Sequence, residues 1–146
     1  MRTAILIDGN NIGMSVNQMM EDMSCMADFD KLIGHFAPVC RVVYFREGNN
    51  ISPKFMRRLS DRWGAIFRPC GKSVDVSMAI AAIHIAPSVD RIVLFSGDKD
   101  FVPAINIVKS QFVRVEVIAT EAAMSNDIAM AADQIHFIKP EDTFKL

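Results

Sequence analysis

Five strand-length runs of aliphatic and β-branched residues, separated by stretches of helical periodicity, constrain this chain more than any other feature. The runs are Thr3 to Ile7, Val39 to Phe45, Ala65 to Phe67, Arg91 to Phe95 and Val113 to Ile118, with Ile135 to Ile138 as a short sixth. Between them, Phe29, Leu32, Ile33 and Phe36 recur at i, i+3, i+4 and i+7 behind a capping Asp28. Ser52-Pro53 opens a second helix with Met56, Leu59 and Trp63 inward. Ser73 to Ala86 is apolar nearly all round, so deep burial is expected. Asp100 to Lys109, with Pro103 in its first turn, and Ser125 to Ala132 complete the helices. Asn10 or Asn11 is expected to cap a helix after the first run. Alternation of this kind means right-handed crossovers. The expected class is α/β, doubly wound, with a mostly parallel sheet of about five to six strands in three α/β/α layers.

In the usual 3-2-1-4-5 order the first and fourth strands are neighbours where the winding reverses, and ligands bind at the carboxyl ends there. The first run ends on Asp8-Gly9-Asn10 and the fourth on Ser96-Gly97-Asp98-Lys99-Asp100. Asp75 opens the helix that follows the third strand, on the same edge. Four carboxylates from three segments therefore converge. A lone aspartate at a strand end is more often a helix cap than a ligand. A packed group of them stays ionised only if a cation neutralises it, and oxygen-only donors select Mg²⁺ or Mn²⁺.

Composition excludes several other chemistries. At 146 residues with 51% apolar content, residues 1–146 are expected to form a single domain with one core. The first apolar run is too short for a signal peptide or membrane span, so a cytoplasmic location and no membrane partner are expected. Cys25, Cys40 and Cys70 are odd in number and lack C-x-x-C spacing, which fits reduced thiols. His35, His84 and His136 are scattered without zinc-binding spacing. The net charge of −1 conceals an asymmetry: Arg41 to Lys72 holds eight basic residues against Glu47 and Asp61. A basic segment beside an acidic pocket suits a polyanion held to a metal site, although a solvated charged surface is equally common. Met14, Met19, Met20, Met23 and Met26 cluster before Asp28, a candidate surface for a homo-oligomer or protein partner.

The motifs resemble the NYN domains of the PIN-like nuclease superfamily, particularly the bacterial LabA-like group. The resemblance runs through Ile5 to Asn11, Lys72 to Val76 and Leu94 to Pro103, with a weaker match at Ser125 to Asp133. It implies a metal-dependent ribonuclease acting on RNA, single-stranded by expectation. Asp8, Asp98 and Asp100 would hold Mg²⁺ or Mn²⁺, Asp75 would complete the acidic shell, and the products would be a 5′-phosphate and a 3′-hydroxyl. Asn11 would position a water or a substrate phosphate, or merely cap its helix. Lys72 and Lys99 would meet phosphates at the rim, and Ser96 would hydrogen-bond an aspartate. Lys54, Arg58 and Arg62 share a helix face that could track an RNA backbone, though plain solvation has better odds.

One position departs from the family. Members of this group commonly carry a further aspartate six residues after the one matching Asp75, where this chain has Ala81. The expectation is a weakened metal pocket, leaving a slow nuclease, a metal-binding RNA sensor or an inactivated form. The alternative function is a catalytically weak RNA- or protein-binding regulatory domain of the same fold. A phosphoaspartate enzyme or switch fits poorly, because Asp8 is followed by Gly9-Asn10 rather than by a second nearby acid.

Overall fold

A computed structural model describes residues 1–146. Six strands form one parallel sheet: β1 (Thr3–Asp8), β3 (Arg41–Glu47), β4 (Ile66–Cys70), β5 (Arg91–Phe95), β6 (Arg114–Thr120) and β7 (Gln134–Ile138). Their order is β4-β3-β1-β5-β6-β7, which is the expected doubly wound arrangement with β7 added at one edge. Strand β1 pairs with β3 through Asp8↔Phe45 and with β5 through Ile7↔Phe95. The winding reverses between β1 and β5, so Asp8 and the Ser96-Gly97-Asp98 turn leave the sheet side by side.

Alternation along the strands divides the core in two. Ile5 and Ile7 of β1, Val42 and Tyr44 of β3 and Val93 and Phe95 of β5 face one layer. That layer holds α1 (Gly9–Met20), α2 (Phe29–Gly34) and α3 (Pro53–Trp63). Leu6, Val43, Phe45, Ile92 and Leu94 face the other, against α4 (Val74–Ile85) and α5 (Val102–Ser110). A sheet buried on both faces explains why the strands read as unbroken apolar runs. The short α6 (Asn126–Ala131) begins at Ser125, whose hydroxyl accepts from the Ile128 N–H at 3.2 Å. No helix is long and apolar enough to cross a membrane.

The structure corrects two expectations. Helix α1 is capped by Asp8, not by Asn10 or Asn11: the Asp8 carboxylate accepts from the Asn11 N–H at 3.1 Å. Asn10 instead accepts from the Glu47 N–H at 2.8 Å, tying the start of α1 to the end of β3. Helix α4 is not deeply buried. It inserts Val74, Met78, Ala81 and Ala82, at i, i+4, i+7 and i+8, while Val76 and Ile80 stand 53% and 62% exposed because no further layer covers them. The C-terminal residues form β8 (Thr143–Lys145), antiparallel to β2 (Cys25–Ala27) in a second small sheet. Of the clustered methionines, Met19 and Met20 pack on the core, and Met14 and Met23 are exposed.

Candidate functional site

Three parts of the backbone deliver four aspartates to the carboxyl edge of the sheet. Asp75 sits in the first turn of α4, where the helix dipole favours a negative charge. Asp98 caps the 3-10 turn Lys99–Phe101 that links β5 to α5, Asp100 lies within that turn, and the Asp98 carboxylate accepts from the Asp100 N–H at 2.9 Å. Asp8 closes β1 and is 6% exposed. Two glycines make this packing possible. A Cβ on Gly9 would lie 2.4 Å from the Tyr44 ring, and one on Gly97 would lie 2.2 Å from the carbonyl oxygen of Ala123. Gly97 thereby lets the loop before α6 close over the turn, where its carbonyl accepts from the Ser125 N–H at 3.0 Å.

Carboxylate oxygens of Asp75, Asp98 and Asp100 all lie within 4.8 Å of one another. Oxygens on opposite sides of one hard divalent ion, each bound at about 2.1–2.5 Å, are separated by about 4–5 Å, so this spread suits a single ion. None of the ion pairs in the molecule involves Asp8, Asp75, Asp98 or Asp100, so no basic side chain neutralises the group. The donor set is oxygen alone, which fits Mg²⁺ or Mn²⁺ and not a nitrogen- or sulfur-seeking metal.

Asp8 stands slightly apart. The tight group consists of Asp75, Asp98 and Asp100, whereas the resemblance put Asp8 among the direct ligands and Asp75 in the surrounding shell. Burial pushes the Asp8 carboxyl above its ordinary value, the Asn11 N–H opposes this, and the charges of Asp98 and Asp75 add to the rise.

The remaining sequence candidates fall into two groups. Asn11 lies beside Asp8 with its side-chain oxygen buried and without a partner. Lys99 is exposed next to Asp100, and Lys72 is exposed just ahead of α4. Ser96 is fully buried, but its hydroxyl accepts from the Asp98 backbone N–H at 3.2 Å and does not touch a carboxylate. Arg58 and Arg62 lie on the opposite face of the sheet from α4. They turn to Asp30 of α2 at 3.6 and 3.8 Å, which leaves Lys54 as the only member of that stripe without an acidic partner. Ala81 is 6% exposed in the apolar layer beneath α4, six residues and about 9 Å of helix rise from Asp75. It is a core position.

Sequence reasoning missed a groove of about 530 Å³ between α5 and α6, continuous with the acidic group through Asp100 and lined also by Lys99, Asn106, Asp127 and Met130. Only the pairing of α5 with α6 creates it, and no spacing within either helix announces it. The charged network at the opposite, amino-terminal edge was also unforeseen. There Glu116, 3% exposed, accepts from Arg91 at 3.1 Å and Arg114 at 3.0 Å, and lies 2.7 Å from His136.

A family model described as "NYN domain" matches residues 2–140. The chain is 29% identical over 62 residues to the low amplitude and bright protein LabA of Synechococcus elongatus; the match covers 42% of this chain and 33% of that protein. The chain thus spans about a third of the length of that curated relative. A crystal structure of a protein of unknown function from Vibrio parahaemolyticus superimposes with a TM-score of 0.81 at 21% identity, covering 98% of this chain and 96% of that one. At that identity the likeness speaks for the fold.

Proposed function

This chain belongs to the NYN domain family, and on that premise we propose that it is a metal-dependent ribonuclease, hydrolysing single-stranded RNA at the acidic cluster. The observation that carries the reading is the unpaired group of Asp75, Asp98 and Asp100 oxygens within 4.8 Å at the switch point of the sheet. These three residues would hold Mg²⁺ or Mn²⁺. A bound divalent cation supplies neutralisation of the phosphoryl oxygen and acidification of water.

The protein's own groups supply the rest. Burial raises the proton affinity of the Asp8 carboxyl, which suits it to accept a proton from the attacking water. The Asn11 backbone N–H, which donates to the Asp8 carboxylate, holds that acceptor in place. Lys99 and Lys72, exposed on either flank, counter the charge of the phosphates and fix the strand without reading its sequence. Attack on phosphorus with departure of the 3′ oxygen leaves a 5′-phosphate and a 3′-hydroxyl. A cytoplasmic location accompanies this reading, and the free thiols of Cys25, Cys40 and Cys70 are compatible with it.

Calorimetric titration of Mn²⁺ into the protein and into Asp100→Asn tests the assignment, since Asp100 is exposed and its replacement leaves the fold alone. The expected result is one saturable site weakened at least tenfold in the variant. Equal affinity in both proteins would remove the metal from this cluster. RNA binding without cleavage in the presence of metal would replace the nuclease with a binding domain.

A further inference from the structure

The segment from Arg41 to Lys72 carries eight basic residues, and the fold sends them to different places. Arg41 opens β3 at the edge of the sheet opposite the acidic centre. Lys54, Arg57, Arg58 and Arg62 belong to α3, on the other face of the sheet from α4. Arg46 lies near the end of β3, and its guanidinium hydrogen-bonds the Tyr44 side chain. Two remain on the side from which α4 presents Asp75: Lys72, already placed at the rim, and Arg68 of β4.

Strand register puts Arg68 in line with the acidic centre. Asp8 of β1 pairs with Phe45 of β3, and Phe45 pairs with Arg68. Paired residues of parallel strands point to one face, and Phe45 packs in the α4 layer, so the three side chains form a row on that face. Two strand spacings, about 10 Å, separate the backbone of Arg68 from that of Asp8. Arg68 is exposed and takes part in no ion pair. Its guanidinium carbon lies 6.0 Å from the centre of the Phe45 ring. The side chain is thus laid inward along the row, toward Asp8, although β4 is an edge strand with no neighbour on its other side. The cation–π contact steadies the side chain, and its exposure keeps N–H donors accessible.

An accessible guanidinium without an acid, held on a row that leads to a divalent-cation site, matches one chemical class. Its planar fork of N–H donors fits the oxygens of a phosphate. A metal at Asp75, Asp98 and Asp100 would hold the scissile phosphate. The neighbouring phosphate of the same strand then falls on the β4 side, toward Arg68, while Lys99 stands on the α5 side.

We infer that Arg68 is a positioning residue that grips the backbone phosphate next to the scissile one, so that a single RNA strand crosses the carboxyl edge of the sheet from β4 over Asp8 toward Lys99. The inference rests on the ribonuclease reading for the identity of the strand, and it adds the strand's path. The contact is to the backbone, so it confers no base preference.

The test is the salt dependence of binding of short 5′-labelled oligouridylate and oligoadenylate in EDTA, read by fluorescence anisotropy between about 50 and 200 mM KCl. One lost phosphate contact on a single strand flattens the plot of log affinity against log salt by about 0.7. Arg68→Gln should show that change with both oligonucleotides, and should bind roughly threefold or more weakly at the lowest salt. Arg68→Lys, which keeps the charge, should restore the slope. Arg57→Gln on α3 removes the same charge from the other face and should keep the parent's slope. Thermal unfolding reports that each variant folds. No binding by the parent, a parent-like slope in Arg68→Gln, an equal change in Arg57→Gln, or equally tight binding of labelled oligoglutamate by the parent would overturn the subsite. With EDTA present, the outcome is independent of catalysis. Arg68-dependent binding in a chain that cuts no RNA would uphold the subsite and refute the nuclease, and cleavage with a parent-like slope in Arg68→Gln would do the reverse.

Discussion

Ala81→Asp places at position 81 the carboxylate that the family resemblance led one to expect there, and the structure predicts that it will harm the fold. Ala81 is 6% exposed in the apolar layer with Leu6, Val43, Phe45 and Met78, and belongs to no polar cluster. A carboxyl introduced there loses its water and gains no partner. Burial of this kind raises a carboxyl pKa by up to about 3–5 units from roughly 3.9. At pH 7 the introduced group must either take up a proton or remain charged in the core, at a cost of about 4 kcal/mol. The neutral form still loses about 1–3 kcal/mol of hydration. The total approaches the whole stability of a small domain, about 5–15 kcal/mol. The sign of the pH dependence follows from the raised folded-state value. The ionisation part of the loss is absent below the unfolded-state pKa and grows as pH rises toward the folded one. Urea unfolding of parent and variant at pH 4.5 and pH 7.5 should therefore show a gap that widens at the higher pH. A variant within about 0.5 kcal/mol of the parent at pH 7.5, or one that gains more stability from Mn²⁺ than the parent, would refute the reasoning. Either result would put position 81 in the acidic centre.

Gly9→Ala should cost about 1–3 kcal/mol in urea unfolding through the 2.4 Å approach of its Cβ to the Tyr44 ring; an unchanged midpoint would contradict this packing. Glu116→Gln should cost about 3–5 kcal/mol, because it leaves the mostly buried Arg91 without its carboxylate. Burial pushes the Glu116 carboxyl up, but hydrogen bonds from His136, Arg114 and Arg91 outweigh it and hold it below its ordinary value. Its stabilisation is thus present above the unfolded-state pKa and is lost as pH falls through the folded one, so the parent-to-variant difference should shrink in acid. In EDTA, Asp100→Asn should be at least as stable as the parent, since it removes a charge from a like-charged group. Mn²⁺ at a hundred times its dissociation constant should stabilise the parent by about 2.7 kcal/mol, and Asp100→Asn by much less at the same concentration, as read by thermal unfolding.

The parts of the fold that were legible in the sequence are those dictated by local pattern. Uninterrupted apolar runs ending in Asp8-Gly9 and Ser96-Gly97-Asp98 marked strands buried on both faces, and their alternation with helices fixed the parallel order. That order brought the aspartates together on paper, because strand ends at a switch point share one edge. What stayed hidden depends on contacts between distant segments. Strands β2 and β8 are three residues each and exist only through each other. The exposure of Val76 and Ile80 reflects the absence of an outer layer, which the composition of α4 could not reveal. Asp8 as cap, in place of Asn10 or Asn11, follows from helix α1 starting at once after β1, without an intervening loop. Arg58 and Arg62 looked free for RNA because Asp30, their partner, lies 28 and 32 residues earlier.

The measurement that bears most directly on the central claim is cleavage of end-labelled single-stranded RNA by the chain and by Asp98→Asn, in Mn²⁺, Mg²⁺ and EDTA. The account predicts products with 5′-phosphate and 3′-hydroxyl ends from the parent with either metal. It predicts none in EDTA and at least a hundredfold less from the folded variant, the size expected when a key electrostatic group is lost. Undiminished cleavage by Asp98→Asn, or no cleavage by the parent with either metal, would contradict it.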